Sequence, residues 1–178
     1  CGKKFGLWNP RGTVTVDFVK KWSSVLKEYA DRYGEHIKAW WIDGCYDWLG
    51  YQDDYMQYYY DAVKGANPNA LVTMNNGVQA QCYKWFCHED YTSGEFNDFS
   101  VVPDQAFYDG SRAHILAPLG SNLWRSRGVS CDSRSLKEYV QKVNRAGGFV
   151  TIDIYIDGDG NLDEEQLQTL NGLSFRRR

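Results

Sequence analysis

The chain has 178 residues, of which 43% are hydrophobic, 24% charged and 16% aromatic. Those proportions are globular and exclude a disordered tail, a collagen-like repeat or a small disulfide scaffold. Twenty Lys and Arg against twenty-three Asp and Glu leave a net charge of −3, too balanced for a nucleic-acid or anionic-membrane surface.

In chain order, Val16, Val19, Trp22, Val25, Leu26, Tyr29 and Tyr33 recur at helical spacing. They predict a helix over 16–33, with Thr15 as N-cap and Gly34 as stop. Ile37–Ile42 is a short apolar run without clean alternation, as expected of a buried parallel strand, and it ends abruptly at Asp43-Gly44. A helix over 53–64 closed by Gly65 follows, then a strand over Ala70–Met74 that ends in Asn75-Asn76-Gly77. The stretch from Val78 to about Ser111 reads as irregular, rich in Trp, Tyr, His and carboxylates.

His114–Leu119 is the next predicted strand. Ser135–Ala146 reads as a helix opened by a Ser135/Glu138 capping box and closed by Gly147-Gly148. Phe149–Ile156 is the last predicted strand, and Asp163-x-x-Gln166 opens a final helix. Strand and helix alternate, with connections too long for hairpins. The expectation is one α/β domain of right-handed βαβ units on a parallel sheet.

Several classes drop out. No stretch approaches the length of apolar sequence that spans a membrane. Cys1, Cys45, Cys82, Cys87 and Cys131 form an odd set without metal-ligand spacing. A Cys82–Cys87 bridge stays open, while Cys1, followed almost at once by Phe5-Gly-Leu-Trp8, reads as a fragment boundary. The segment Asp157-Gly-Asp-Gly-Asn-Leu162 imitates a calcium loop, but either alignment of its glycines leaves the ligand pattern broken. The Arg176–Arg178 run reads as a solvated tail.

Seven Trp, thirteen Tyr and eight Phe, many beside Asp, Asn or Gly, suit sugars, whose apolar C–H faces and hydroxyl rims need both kinds of neighbour. In parallel α/β folds ligands bind at the carboxyl ends of strands. Those ends here hold Asp43, then Asn75 and Asn76, then Ser121–Arg125, then Asp153 and Asp157. Asp43 stands out: one acid at the lip of an apolar strand, followed by a glycine. The loop His88–Glu95 supplies three possible partners, Glu89, Asp90 and Glu95. Two such carboxyls about 5–5.5 Å apart are what a retaining glycosidase uses.

Glu28-Tyr-Ala-Asp-Arg-Tyr-Gly34 followed by Trp40-Trp-Ile-Asp-Gly44 resembles the "YG, then W-[FI]-D-G" segment of α-L-fucosidases, glycoside hydrolase family 29. Lys4–Trp8, Asp90-Tyr-Thr-x-x-Glu95 and Asn144–Leu162 resemble further segments of that family, in the same order along the chain. The resemblance implies a (β/α)8 TIM-barrel-like domain, incomplete, running from about strand 3 to strand 8. It makes Asp43 the catalytic nucleophile and Glu95 the acid/base, although the acid/base position varies within the family.

Trp41, Trp48, Asn75, His88 and Trp124 are the candidates for the substrate-binding lining. His36 and His114 read as structural. The implied partner is a fucosylated glycan or related sugar, with no cofactor and no metal, in a secreted, periplasmic or lysosomal setting. Three features depart from the family. Asp153 stands where Asn is usual, the Ser111–Arg127 loop matches only in Trp124, and the His-rich segment upstream of the Phe5 strand has no counterpart. A non-catalytic carbohydrate-binding or structural protein on a degenerate hydrolase fold is the rival expectation. A whole barrel typically needs about 250 residues. The resemblance therefore also predicts another chain or an N-terminal segment that completes the barrel.

Overall fold

The structure is a computed structural model that describes residues 12–173. Cys1, the Lys4–Trp8 segment and Arg176–Arg178 lie outside the described residues. The chain divides into two compact units. The first comprises the residues up to Gly77 together with Lys84–Ser93; the second comprises Val78–Tyr83 and everything from Gly94 onward. Both are mixed α/β with short parallel sheets.

In the first unit, α1 (Val16–Tyr33) begins where predicted, the Thr15 hydroxyl accepting from the Phe18 N–H at 3.2 Å. Capping of this kind satisfies one of the free N–H groups that every helix start leaves. Gly34 ends the helix with φ +48°, a conformation that glycine adopts without steric cost. Three i,i+4 ion pairs, Asp17–Lys21, Lys27–Asp31 and Glu28–Arg32, run along its solvent side.

The strand β1 (Ala39–Ile42) pairs in parallel with β2 (Leu71–Met74), and α2 (Asp53–Lys64) lies between them in sequence. The packing of α2 against α1 encloses a core of Val19, Ala30, Ile42, Leu49, Met56, Tyr59, Val63, Val72, Met74 and Phe86. Beyond β2, the segment around Asp90 continues the pairing, with Asp90 N–H donating to Val72 O at 2.9 Å.

In the second unit, β5 (His114–Pro118) pairs in parallel with β6 (Phe149–Asp153), and α3 (Ser133–Arg145) packs on β6. Residues 94–96 join the other side of β5: Leu116 N–H donates to Gly94 O at 2.7 Å and Phe96 N–H to Leu116 O at 2.9 Å. A side chain at Gly94 would meet the His114 carbonyl oxygen at 1.8 Å, so only glycine lets the two backbones approach. Ile115, Ala117, Phe96, Tyr139 and Val143 form this unit's core. The final helix, α4 (Glu164–Asn171), is capped by Asp163 as predicted, its carboxylate accepting from Gln166 N–H at 3.1 Å.

Two expectations need correction, and one question left open is answered. The hairpin-free reading missed β3 (Phe107–Tyr108) and β4 (Ser111–Arg112), an antiparallel pair whose strands are too short to leave an alternation pattern. The cap of α3 is Asp132, which accepts from Ser135 N–H at 2.7 Å, rather than Ser135 itself. Cys82 and Cys87 are free thiols, the first buried and the second exposed, as are Cys45 and Cys131. The imitation calcium loop is an Asx turn: the Asp157 carboxylate accepts from the backbone N–H groups of Asp159 and Asn161. No group of three or more metal-ligating side chains occurs among the described residues.

Candidate carboxylate site at the ends of strands β1 and β2

Asp43 is exposed and follows the last residue of β1, as the sequence predicted. Asn75, completely buried after the end of β2, donates from Nδ2 to Asp43 Oδ1 at 3.0 Å. The Asn75 amide oxygen in turn accepts from Gly77 N–H at 2.9 Å, so its orientation is fixed. Asn75 N–H donates to Ile42 O, which ties the two strand ends together. Tyr46 Oη stands 3.4 Å from the same Asp43 oxygen. Asn75 therefore positions Asp43. A carboxylate exposed to solvent and held on one oxygen is free to meet a ligand.

Glu89 behaves in the opposite way. Only 4% of it is exposed. Its two oxygens accept from backbone N–H groups, Oε1 from Met74 at 3.3 Å and Oε2 from Trp85 at 3.2 Å. Burial pushes its carboxyl up to about 7, against the partial relief that these amides give the charged form. Asp90 is likewise committed. Its Oδ2 accepts from Val72 N–H at 2.9 Å and faces Lys64 Nζ at 3.2 Å. Both acids fasten the 85–90 segment to β2. Cys45 is a buried thiol pushed well above its ordinary range by burial first, then by the charges of Asp43 and Glu89.

The other predicted lining residues have varied surroundings. Trp41 is half-buried and spends its indole N–H on Ser93 O at 2.9 Å. Trp48 is exposed, and His88 is exposed with its ring against those of Tyr60 and Phe86. Glu95 and Trp124 belong to the second unit. Glu95 is half-buried and forms a parallel bridge with Leu116; Trp124 donates from Nε1 to Asn97 Oδ1 at 3.1 Å. His114 is buried and structural, with Nε2 2.9 Å from Thr151 Oγ1, and His36 sits exposed at the end of a short 3-10 turn. Tyr46 and the bracing role of Glu89 escaped the sequence reading, because both depend on partners that only folding brings near.

At the end of β6, Asp153, Arg125, Ile154, Tyr155 and Ile156 line a cleft of about 440 Å³ within the second unit. Burial pushes the Asp153 carboxyl up, while Arg125, through its backbone N–H and its charge, pulls it down. Arg125 and Leu123 hold φ values of +57° and +60°, so the loop bends twice through the left-handed region to place them.

No family model matches the chain, and no curated protein matches it. Solved structures do. A variant of the endo-fucoidan hydrolase MfFcnA4, of glycoside hydrolase family 107, superposes with a TM-score of 0.75 at 18% identity, over 97% of this chain and 32% of that one. The family 107 endo-fucoidan hydrolase MfFcnA9 gives 0.73 at 20% identity, over 96% and 38%. The α-L-fucosidase AlfC from Lactobacillus casei gives 0.62 at 18% identity, over 90% and 46%. The chain thus spans about a third of the length of these two fucoidan hydrolases. Over those lengths it shares its fold with these neighbours, fucoidan hydrolases of family 107 and an α-L-fucosidase.

Proposed function

We propose that this chain belongs to a retaining glycoside hydrolase acting on α-L-fucosyl linkages, and forms about strands 3 to 8 of a (β/α)8 barrel. Asp43 attacks the anomeric carbon. Glu95 protonates the departing glycosidic oxygen, then takes a proton from the water that releases the sugar. The observation that carries this reading is the contrast among the acids. Asp43 is presented to solvent by Asn75 at a strand's carboxyl end, whereas Glu89 and Asp90 are bound to the backbone. The family 29-like motifs around Asp43 and Glu95 and the fold shared with fucoidan hydrolases support the same substrate class. The proposal includes a carbohydrate partner and a secreted, periplasmic or lysosomal setting. No helix among the described residues is long and apolar enough to cross a membrane.

The test uses the protein at its full expressed length with 4-nitrophenyl α-L-fucoside. Asp43→Ala should remove at least 1,000-fold of the turnover, and azide should restore part of it as fucosyl azide. A 2-fluoro-fucosyl probe should leave its mass on the peptide that contains Asp43. Turnover that survives Asp43→Ala sinks the assignment. Fucoside binding without turnover in the wild type selects the non-catalytic, carbohydrate-binding alternative.

A further inference from the structure

Six tryptophans lie among the described residues, and five are half-buried. The sixth, Trp48, is 69% exposed. Leaving so large an apolar surface in water is unfavourable. Its position is nevertheless tightly set. The ring stacks on Tyr46, with centroids 5.4 Å apart and planes within 16°. The backbone beneath forms a short 3-10 turn, Asp47–Leu49, closed by Gly50 N–H on Asp47 O at 2.8 Å. Asp47 N–H donates to Asn76 Oδ1 at 2.8 Å, and Trp48 N–H to Asp47 Oδ1 at 2.6 Å. Leu49 is buried in the core, and its carbonyl accepts from Val14 N–H at 2.7 Å. One indole face is covered by Tyr46; the rest is held out to solvent by a turn with little freedom to collapse.

The stack also touches the site. Tyr46 Oη is 3.4 Å from Asp43 Oδ1, so the platform begins at the reacting carboxylate and leads away from it. Asp43, Asp47 and Asn76 give it a rim of hydrogen-bonding groups. A rigid π face with an acidic and amide rim fits a pyranose ring, which offers polarised C–H bonds to the face and hydroxyls to the rim.

We infer that the Tyr46–Trp48 stack is a subsite for a second sugar ring, the one joined to the ring held at Asp43, so that the site selects glycans over single fucosides. The inference rests on the carbohydrate reading of Asp43 and deepens it. Holding the indole rigid in advance cuts the ordering cost of binding the second ring.

Two probes separate the subsite from the site itself: methyl α-L-fucoside, with one ring, and 2′-fucosyllactose, with further rings attached. Binding of each is followed by calorimetry on wild type, Trp48→Ala and Trp48→Phe. The subsite predicts that Trp48→Ala weakens the trisaccharide at least 10-fold and the methyl fucoside less than twofold, with Trp48→Phe recovering most of the loss. Equal losses on both probes, or none on either, overturn the subsite and leave the carbohydrate reading of Asp43 standing. A wild type that binds neither probe removes that reading, and the subsite with it.

Discussion

Two stretches meet at the ends of β1 and β2, and they use the same residue types for opposite ends. In the 85–90 segment the acids accept from backbone amides, buried Glu89 on both oxygens and half-buried Asp90 on one. In the 43–48 stretch the acids face water, with a side-chain amide and a phenol as neighbours of Asp43. The first arrangement makes a carboxylate part of the architecture: removing it orphans buried N–H groups. The second leaves a carboxylate available, and its removal costs the fold little. Identity as Asp or Glu says nothing about which role applies. The partner groups decide it.

That contrast can be broken by measurement. The largest effect belongs to Glu89→Ala, which leaves the Met74 and Trp85 N–H groups without an acceptor and should cost about 2–4 kcal/mol in urea unfolding. A cost near zero would mean that the brace is not one. Second comes the pH course of the same residue. Its carboxyl is raised to about 7 when folded, so its stabilising contribution is complete below about pH 4.5. It is lost as pH rises through 7, a decline of about 3 kcal/mol in total. Glu89→Gln should flatten that slope, and parallel curves for wild type and Glu89→Gln would refute the assignment.

Asp90→Ala follows, at about 1–3 kcal/mol, since Val72 N–H and Lys64 lose their partner. Smallest are Asp43→Asn and Trp48→Ala, each expected within about 0.5–1 kcal/mol of wild type in thermal unfolding. A destabilisation of either by more than about 2 kcal/mol would place that residue with the brace and dissolve the contrast.

Much of the local structure was legible because its causes are local. The 16–33 and 53–64 helices carry their periodic apolar face, and Thr15, Gly34 and Asp163 act on neighbours within four residues. Strand ends were less legible. Ile37 and Lys38 precede the observed start of β1, and residues 154–156 continue past the end of β6, because pairing depends on where the neighbouring strand stops. The α3 cap was misassigned between two competent residues three apart, Asp132 and Ser135. Only backbone conformation separates them.

The candidate site divides in the same way. Asp43 could be singled out from the chain, since an acid ending an apolar strand has no buried use. Asn75 and Trp48 were also marked, both as candidates for the substrate-binding lining. That Asn75 holds Asp43 across 32 residues of sequence, that Glu89 serves Met74 rather than a ligand, and that Trp48 alone among the described tryptophans faces water are consequences of packing. By itself the sequence determined the helices, most strands, the acid at the lip and a resemblance to α-L-fucosidases. The tertiary structure decided which carboxylates are structural and which are presented. A carboxylate's role follows from its hydrogen-bond partners and its burial, and both are set by residues distant in the chain.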